Sequence, residues 1–179
     1  MHRSVRRFSR AERLVHQTTL ALMVICLATA AAIYFGPLAA AIGRRHLVAT
    51  VHEWSGILLP APFLLGLASR ALRLDVRRLN RFTSTDTRWL RNAFTRKPHD
   101  HLVPGKFNAG QKVFAAWLAG AIVVMVATGL LLWFKFSLSG IPRAGVIAVH
   151  DTLAFAILVA LAGHAYKAFT TRAGGPGSR

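Results

Sequence analysis

Four long apolar segments divide the chain, and polar, mostly basic stretches separate them. The segments cover residues 15–35, 48–68, 113–134 and 146–169. A helix of about 20 apolar residues crosses a hydrocarbon core of roughly 30 Å. Because backbone polar groups cannot stay unpaired in lipid, each segment is expected to be helical. The pattern predicts an all-α membrane protein, a bundle of four transmembrane helices.

The bundle is expected to form one domain over residues 1–172, with a flexible glycine-rich tail over 173–179. The basic start followed by an apolar run is also typical of a secretory signal. The apolar core of such a signal spans only about 7 to 15 residues. The first segment is longer, so we expect it to be retained as a span.

The basic residues lie unevenly along the chain, which has a net charge of +17. Of the 23 lysines and arginines, 19 fall in the N-terminal segment, the loop 69–112 and the C-terminal end. The positive-inside rule therefore predicts that both termini and this loop are cytoplasmic. Orientation and contact with anionic lipid headgroups account for the charge, so no nucleic-acid partner is expected.

Cys26 is the single cysteine of the chain, in the middle of the first apolar segment. One cysteine cannot supply an internal disulfide, a CxxCH haem attachment or the ligands of an iron–sulfur cluster. Any redox centre must therefore use other ligands. Cys26 itself is expected to be a small buried residue.

The eight histidines fall into two groups. Those in polar segments are expected to face solvent: His2, His46, His99 and His101. The others lie within or at the ends of the apolar segments: His16, His52, His150 and His164. One intramembrane histidine could equally serve a helix–helix hydrogen bond. Four in one small bundle favour a functional site.

The predicted topology sorts these four histidines into pairs at matching depths. His52 and His150 lie near the outer side, whereas His16 and His164 lie near the cytoplasmic side. His150 and His164 are separated by about 21 Å along one helix and point to nearly the same face. Two histidines at one depth leave a zinc or copper site short of ligands, whereas a porphyrin supplies the other four. The arrangement fits two bis-histidine haems.

Glycines beside the candidate ligands have two interpretations. Gly56, Gly129 and Gly163 would let a flat macrocycle approach the helices, or they would serve ordinary close helix packing. Acidic residues follow two of the histidines directly. Glu53 and Asp151 are expected to orient an imidazole, pair with an arginine or act as buried proton groups.

Several motifs, with residues 8–169 as a whole, resemble the cytochrome b (gamma) subunit of membrane-bound formate dehydrogenases. That group sits within the wider class of di-haem and b561-type bacterial cytochromes b. The stretch Gly105-Lys-Phe-Asn-Ala-Gly-Gln-Lys112 is similar to the GKYNAGQK motif of these subunits. Arg13-Leu-Val-His16, Ala148-Val-His-Asp and Gly163-His-Ala-Tyr-Lys also fit.

The resemblance implies two haem b groups, with His52 and His150 on the outer iron and His16 and His164 on the inner one. It also implies a quinone site (menaquinone or ubiquinone) at the cytoplasmic side, formed by Asn108, Gly110, Gln111 and His164. From the residues alone, Asn108 could simply cap the third span.

The resemblance further implies the partners and the membrane. These are an iron–sulfur (beta) subunit and a molybdenum or tungsten catalytic (alpha) subunit, in the bacterial cytoplasmic (inner) membrane. The first extracytoplasmic loop and the C-terminal tail are shorter than in that family. Two alternatives stay open: a stand-alone b561-type protein exchanging electrons between quinone and a soluble partner such as superoxide, and a haem-free proton-relay or anchor protein.

Overall fold

The computed structural model describes residues 8–95, 105–134 and 142–173. In this part of the chain every regular element is a helix. The helices are α1 (Arg10–Tyr34), α2 (Gly36–Ile42), α3 (Arg45–Leu58), α4 (Ala61–Gly66), α5 (Arg70–Asn80), α6 (Ser84–Phe94), α7 (Ala109–Trp133) and α8 (Arg143–Ala173). His2, His99 and His101, which were predicted to face solvent, lie outside the described residues. The predicted tail also lies outside them, except for its first residue, Ala173, which is in the last turn of α8.

Four helical segments within the described residues are long and apolar enough to cross a membrane. They are Arg10–Tyr34, Arg45–Gly66, Ala109–Trp133 and Arg143–Thr170. Their most apolar stretches are only 11% to 17% buried, so their apolar side chains are available to lipid. The prediction of an all-α protein with four spans is confirmed. The orientation of the termini stays a prediction.

The second span is not one regular helix. It combines α3 and α4, which are separated by a turn at Leu59 and Pro60. Proline has no backbone N–H and its ring clashes with the preceding turn, so a helix commonly ends before it. The carbonyl of Pro60 then accepts a hydrogen bond from the backbone N–H of Leu64, which starts α4.

Two short helices, α5 and α6, lie within the segment 69–112 that connects the second and third spans. Helix α6 begins with a capping box in which Thr83 and Asp86 satisfy each other's backbone donors. The carboxylate of Asp86 accepts from the backbone N–H of Thr83 at 2.8 Å. Both helices are short and strongly charged, so no continuous apolar run reveals them. The other predicted loop, between the first two spans, contains α2.

The chain divides into two compact units. The first combines Met1–Val24 with Ile57–Ile122, and the second combines Ile25–Gly56 with Val123–Arg179. In the first unit, Gly66 lies so close to Val15 that a methyl group there would overlap the valine side chain. In the second unit, the rings of Trp54 and Trp133 pack edge to face, with centroids 5.6 Å apart. That the two form one domain over residues 1–172 stays a prediction.

Candidate functional site

Two imidazole rings lie edge to face in the second unit. His52 on α3 and His150 on α8 have ring centroids 6.4 Å apart, with ring planes that cross at 72°. Both residues are half-buried. A metal–imidazole bond is about 2 Å long, and the ring centre lies about 1 Å beyond the nitrogen, so trans imidazoles on one metal have centroids about 6 Å apart. The observed separation matches this span.

The Nδ1 atom of His150 is held by Thr128 of α7. The threonine Oγ1 lies 2.8 Å from Nδ1. The single hydroxyl proton of Thr128 is directed to the backbone carbonyls of Val124 at 2.8 Å and Met125 at 3.1 Å. With that proton on the backbone carbonyls, the oxygen can accept from His150 Nδ1, and Nε2 then has the free lone pair.

His52 is held in the same way from α1, with one additional acceptor. Its Nδ1 lies 3.0 Å from the backbone oxygen of Cys26 and 3.2 Å from Oγ1 of Thr29. A carbonyl can only accept, so this Nδ1 is also protonated. Thr29 donates its own proton to the carbonyl of Ile25 at 2.7 Å. Both histidines thus leave Nε2 as the coordinating nitrogen.

Two imidazoles with Nε2 available fit a haem better than a bare metal ion. Among the described residues, no group of three or more histidine, cysteine or carboxylate side chains could hold a metal ion. A porphyrin would need only two further ligands, the number that this pair offers. A Cβ at Gly129 of α7 would lie 3.5 Å from Cε1 of His150, so the absence of a side chain there leaves room beside the ligand.

Glu53 and Asp151, which follow these histidines in sequence, contribute less to holding the imidazole rings than expected. The partners of the two Nδ1 atoms are threonine hydroxyl oxygens and the carbonyl of Cys26, rather than the carboxylates of Glu53 or Asp151. Among the described residues, neither carboxylate forms an ion pair with an arginine. Cys26 is half-buried, and its Sγ lies 3.7 Å from the His52 Nδ1, so it is more than an apolar filler.

The other predicted haem pair is divided between the units. His16 is on α1 in the first unit, and His164 is on α8 in the second. Both side chains are exposed. The pairing of His16 with His164 therefore stays a prediction.

The turn before α7 brings together three of the predicted quinone residues. Asn108 accepts a hydrogen bond from the Gln111 backbone N–H at 2.9 Å, and the Gln111 side-chain oxygen accepts from the Asn108 backbone N–H at 3.0 Å. This is a reciprocal cap at a helix N-terminus. The alternative that Asn108 caps the third span is therefore correct. The cap uses only the side-chain oxygens and leaves each NH2 group as a donor.

Gly110 has a packing role in this turn. A Cβ at this position would lie 3.0 Å from Cη2 and 3.3 Å from Cζ3 of Trp89, on α6. The tryptophan ring therefore occupies the space that any side chain would need. His164, the fourth predicted quinone residue, belongs to the other unit.

Buried ion pairs hold the polar helices of the first unit. Lys106 contacts Glu12 at 2.7 Å and also forms a short ion pair with Asp75. Lys112 contacts Asp86 at 2.8 Å and the backbone oxygen of Arg81 at 2.9 Å. Each ammonium has a carboxylate partner, as buried charges require.

These pairs shift the pKa values of the groups outside the spans. Burial raises the pKa of Asp86, but hydrogen bonds from Lys112 and Thr83 outweigh it, so the pKa lies below its ordinary value. Burial lowers the pKa of Lys106, but Asp75 and Glu12 outweigh it, so the pKa lies above its ordinary value. Asp86 and Lys106 are therefore both charged at neutral pH.

A cavity of about 360 Å³ lies in the first unit. Its lining consists of Arg78, Arg81, Thr83, Thr85, Asp86, Trp89, Gly105, Lys106, Phe107, Ala109 and Lys112. Five of these side chains are charged, and they share the wall with the rings of Trp89 and Phe107.

Comparison with known proteins shows the family to which the chain belongs. The model of a protein family described as prokaryotic cytochrome b561 matches residues 7–177. The chain belongs to the prokaryotic cytochrome b561 family. As a b561-type cytochrome, it is a multi-pass membrane protein with an electron-transfer role, and membership of the family implies that it binds haem b.

A curated relative of this b561-type chain is a formate dehydrogenase cytochrome b556 subunit from Haemophilus influenzae. The two are 28% identical over 134 residues, which cover 72% of this chain and 54% of the relative. The chain thus matches about half the length of that protein. The resemblance to the cytochrome subunits of formate dehydrogenases is confirmed at this level.

The sequence predictions for this b561-type cytochrome missed the groups that orient the histidines. Thr29 and Thr128 are polar residues inside otherwise apolar segments, which is a visible signal. Which histidine each threonine contacts depends on helix packing. The carbonyl of Cys26 gives no signal at all, because every residue has one.

Proposed function

We propose that His52 and His150 are the two axial ligands of one haem b. The observation that carries this proposal is the adjacent pair of imidazoles, with ring centroids 6.4 Å apart and each Nδ1 in contact with an oxygen of the protein. When bound, haem b supplies reversible one-electron transfer. Two histidine ligands leave no open position for a substrate, which suits a relay rather than an oxygenase.

A second haem b is part of the same proposal, with His16 and His164 as its ligands. His164 lies on the same helix as His150, about 21 Å further along the axis. A haem at each end of α8 would let electrons cross the hydrocarbon core in two short steps. Support comes from the spacing of His150 and His164 along the sequence and from membership of a cytochrome family that binds haem b. Histidines inside a span are costly unless they have a function, and haem ligation would be that function.

Quinone is the proposed electron acceptor, at a site formed by Asn108, Gly110, Gln111 and His164. The amide NH2 groups of Asn108 and Gln111 can donate to a quinone carbonyl, since their oxygens serve the helix cap. The N-terminus of the long helix α7 stabilises negative charge developing on that oxygen. Two electrons delivered through the haems and two protons taken up from the cytoplasmic side would convert the quinone, menaquinone or ubiquinone, to its quinol.

The proposed partners are those of a respiratory dehydrogenase. The relative from Haemophilus influenzae is a cytochrome subunit of a formate dehydrogenase. By analogy, this chain anchors an iron–sulfur (beta) subunit and a molybdenum or tungsten (alpha) subunit at the bacterial inner membrane. Electrons would enter at the outer histidine pair and leave at the cytoplasmic side, where the charge distribution places both termini.

Affinity purification from the native membrane, followed by spectroscopy, tests this function. We expect a red protein that copurifies with iron–sulfur clusters, whose haem is reduced by the dehydrogenase substrate and reoxidised by added quinone. Haem-containing protein without an iron–sulfur partner would instead support a stand-alone b561-type role. Colourless protein with intact helices would contradict the haem proposal and favour a proton-relay or anchor role.

A further inference from the structure

We propose that Thr128 and Thr29 are positioning residues that set the reduction potential of the haem held by His52 and His150. This inference rests on the proposed haem ligation. It concerns the Nδ1 atom of each imidazole, which lies against a threonine hydroxyl oxygen.

The two threonines have equivalent surroundings on different helices. Each donates its hydroxyl proton one turn back along its own helix, Thr128 to the Val124 carbonyl at 2.8 Å and Thr29 to the Ile25 carbonyl at 2.7 Å. A second carbonyl, three residues back, lies at 3.1 Å and 3.0 Å respectively. With the proton directed to the backbone, each oxygen presents a lone pair to the histidine.

This arrangement affects the metal as well as the ring orientation. An imidazole whose N–H donates to a good acceptor is a more basic ligand. A more basic ligand stabilises ferric iron over ferrous iron and so lowers the reduction potential. Loss of the acceptor should therefore raise the potential.

The two sides of the site differ in one respect. His52 has a second acceptor, the Cys26 backbone oxygen at 3.0 Å, and no side-chain substitution removes it. The acceptor found for His150 Nδ1 is the Thr128 hydroxyl oxygen, at the shorter distance of 2.8 Å. Thr128 is also nearly fully buried, with 9% of its surface exposed. The potential should consequently depend much more on Thr128 than on Thr29.

Redox titration of the purified, haem-loaded protein tests this inference, with Thr128→Val, Thr29→Val and Thr128→Ser compared with wild type. Valine keeps the shape and removes the hydroxyl, whereas serine keeps the hydroxyl. We expect a clear upward shift of one haem's midpoint potential in Thr128→Val, a smaller upward shift in Thr29→Val, and a wild-type potential in Thr128→Ser. Thr18→Val is the matched control, because Thr18 makes the same back-bond to Leu14 at 2.7 Å, on the part of α1 that belongs to the first unit.

Each outcome of this titration either supports or overturns the positioning role of Thr128. Unchanged potentials in Thr128→Val, with full haem content, would overturn the positioning role and leave the haem proposal intact. Equal shifts in Thr128→Val and Thr18→Val would also overturn it. If Thr128→Val loses one haem and Thr128→Ser retains it, the hydroxyl is still the deciding group, whereas loss from both would contradict the inference. Wild-type protein without haem would overturn the proposed function itself.

Discussion

The ammonium group of Lys112 lies 2.8 Å from a carboxylate oxygen of Asp86, and the two side chains are only 9% and 8% exposed. Lys112 stands in the first turn of α7, and Asp86 stands in the first turn of α6. Asp86 also caps α6 through Thr83. One buried carboxylate therefore connects the starts of two helices in the first unit.

Removing Lys112 should destabilise the protein strongly. Lys112→Met leaves Asp86 as a buried charge without its cation, and breaking such a pair costs about 3 kcal/mol or more. Arg78→Met is the matched control, because Arg78 is 56% exposed in its pair with Asp75 and an exposed pair contributes about 0–1 kcal/mol. Unfolding in detergent, followed by helicity, measures both. Equal losses in the two variants would contradict this assignment.

Acid should weaken the first unit in a way that depends on Asp86. The pKa of this carboxyl is lowered in the folded protein, so its stabilising effect is complete above the unfolded value, 3.8. The effect is lost as pH falls below that value through the lower folded pKa. We expect Asp86→Asn to be less stable than wild type at neutral pH and to converge with it in strong acid. A stability difference between Asp86→Asn and wild type that stays constant across this pH range would refute the dependence of stability on Asp86 ionisation.

The four spans were predictable because each combines length with an uninterrupted apolar pattern. The structure moves their ends by only a few residues, for example from residue 15 to Arg10 in α1. Helices α5 and α6 were not predictable in this way, since their stability depends on the buried pairs around Asp75 and Asp86. Those pairs join residues far apart in sequence, and periodicity does not report them.

The histidine pair was likewise predictable from the sequence only in part. Depth along the predicted spans was enough to match His52 with His150. Their tautomers depend on contacts from α1 and α7, which the sequence does not specify. The cap at Asn108 was predictable from local sequence, because it joins residues only three positions apart.

Substitutions at Asn108 separate its capping role from quinone binding. Serine is also a good N-cap and can form the same box with Gln111, whereas alanine removes the cap and costs about 1 kcal/mol. We expect Asn108→Ser to keep wild-type stability and Asn108→Ala to lose it. Both should slow haem reduction by added quinol. Full quinol reactivity in Asn108→Ser would show that Asn108 acts only as a cap.

Gly110 should tolerate no side chain while Trp89 is present. The Cβ of Gly110→Ala would lie 3.0 Å from the tryptophan ring, and overpacking of this kind costs about 1–3 kcal/mol. Combining Gly110→Ala with Trp89→Leu should recover part of the stability relative to the sum of the single variants. A double-mutant cycle in thermal unfolding measures this coupling. Strict additivity would contradict the contact.

Haem content in His52→Ala, His150→Ala and the double variant tests the central claim most directly. His46→Ala is the control, since His46 is an exposed histidine on the same helix α3 as His52. If His52 and His150 share one haem, each single variant loses one of two haems, the double variant loses no more than either, and the control keeps both. Loss of two haems in the double variant, or full haem content in either single variant, would contradict the shared site.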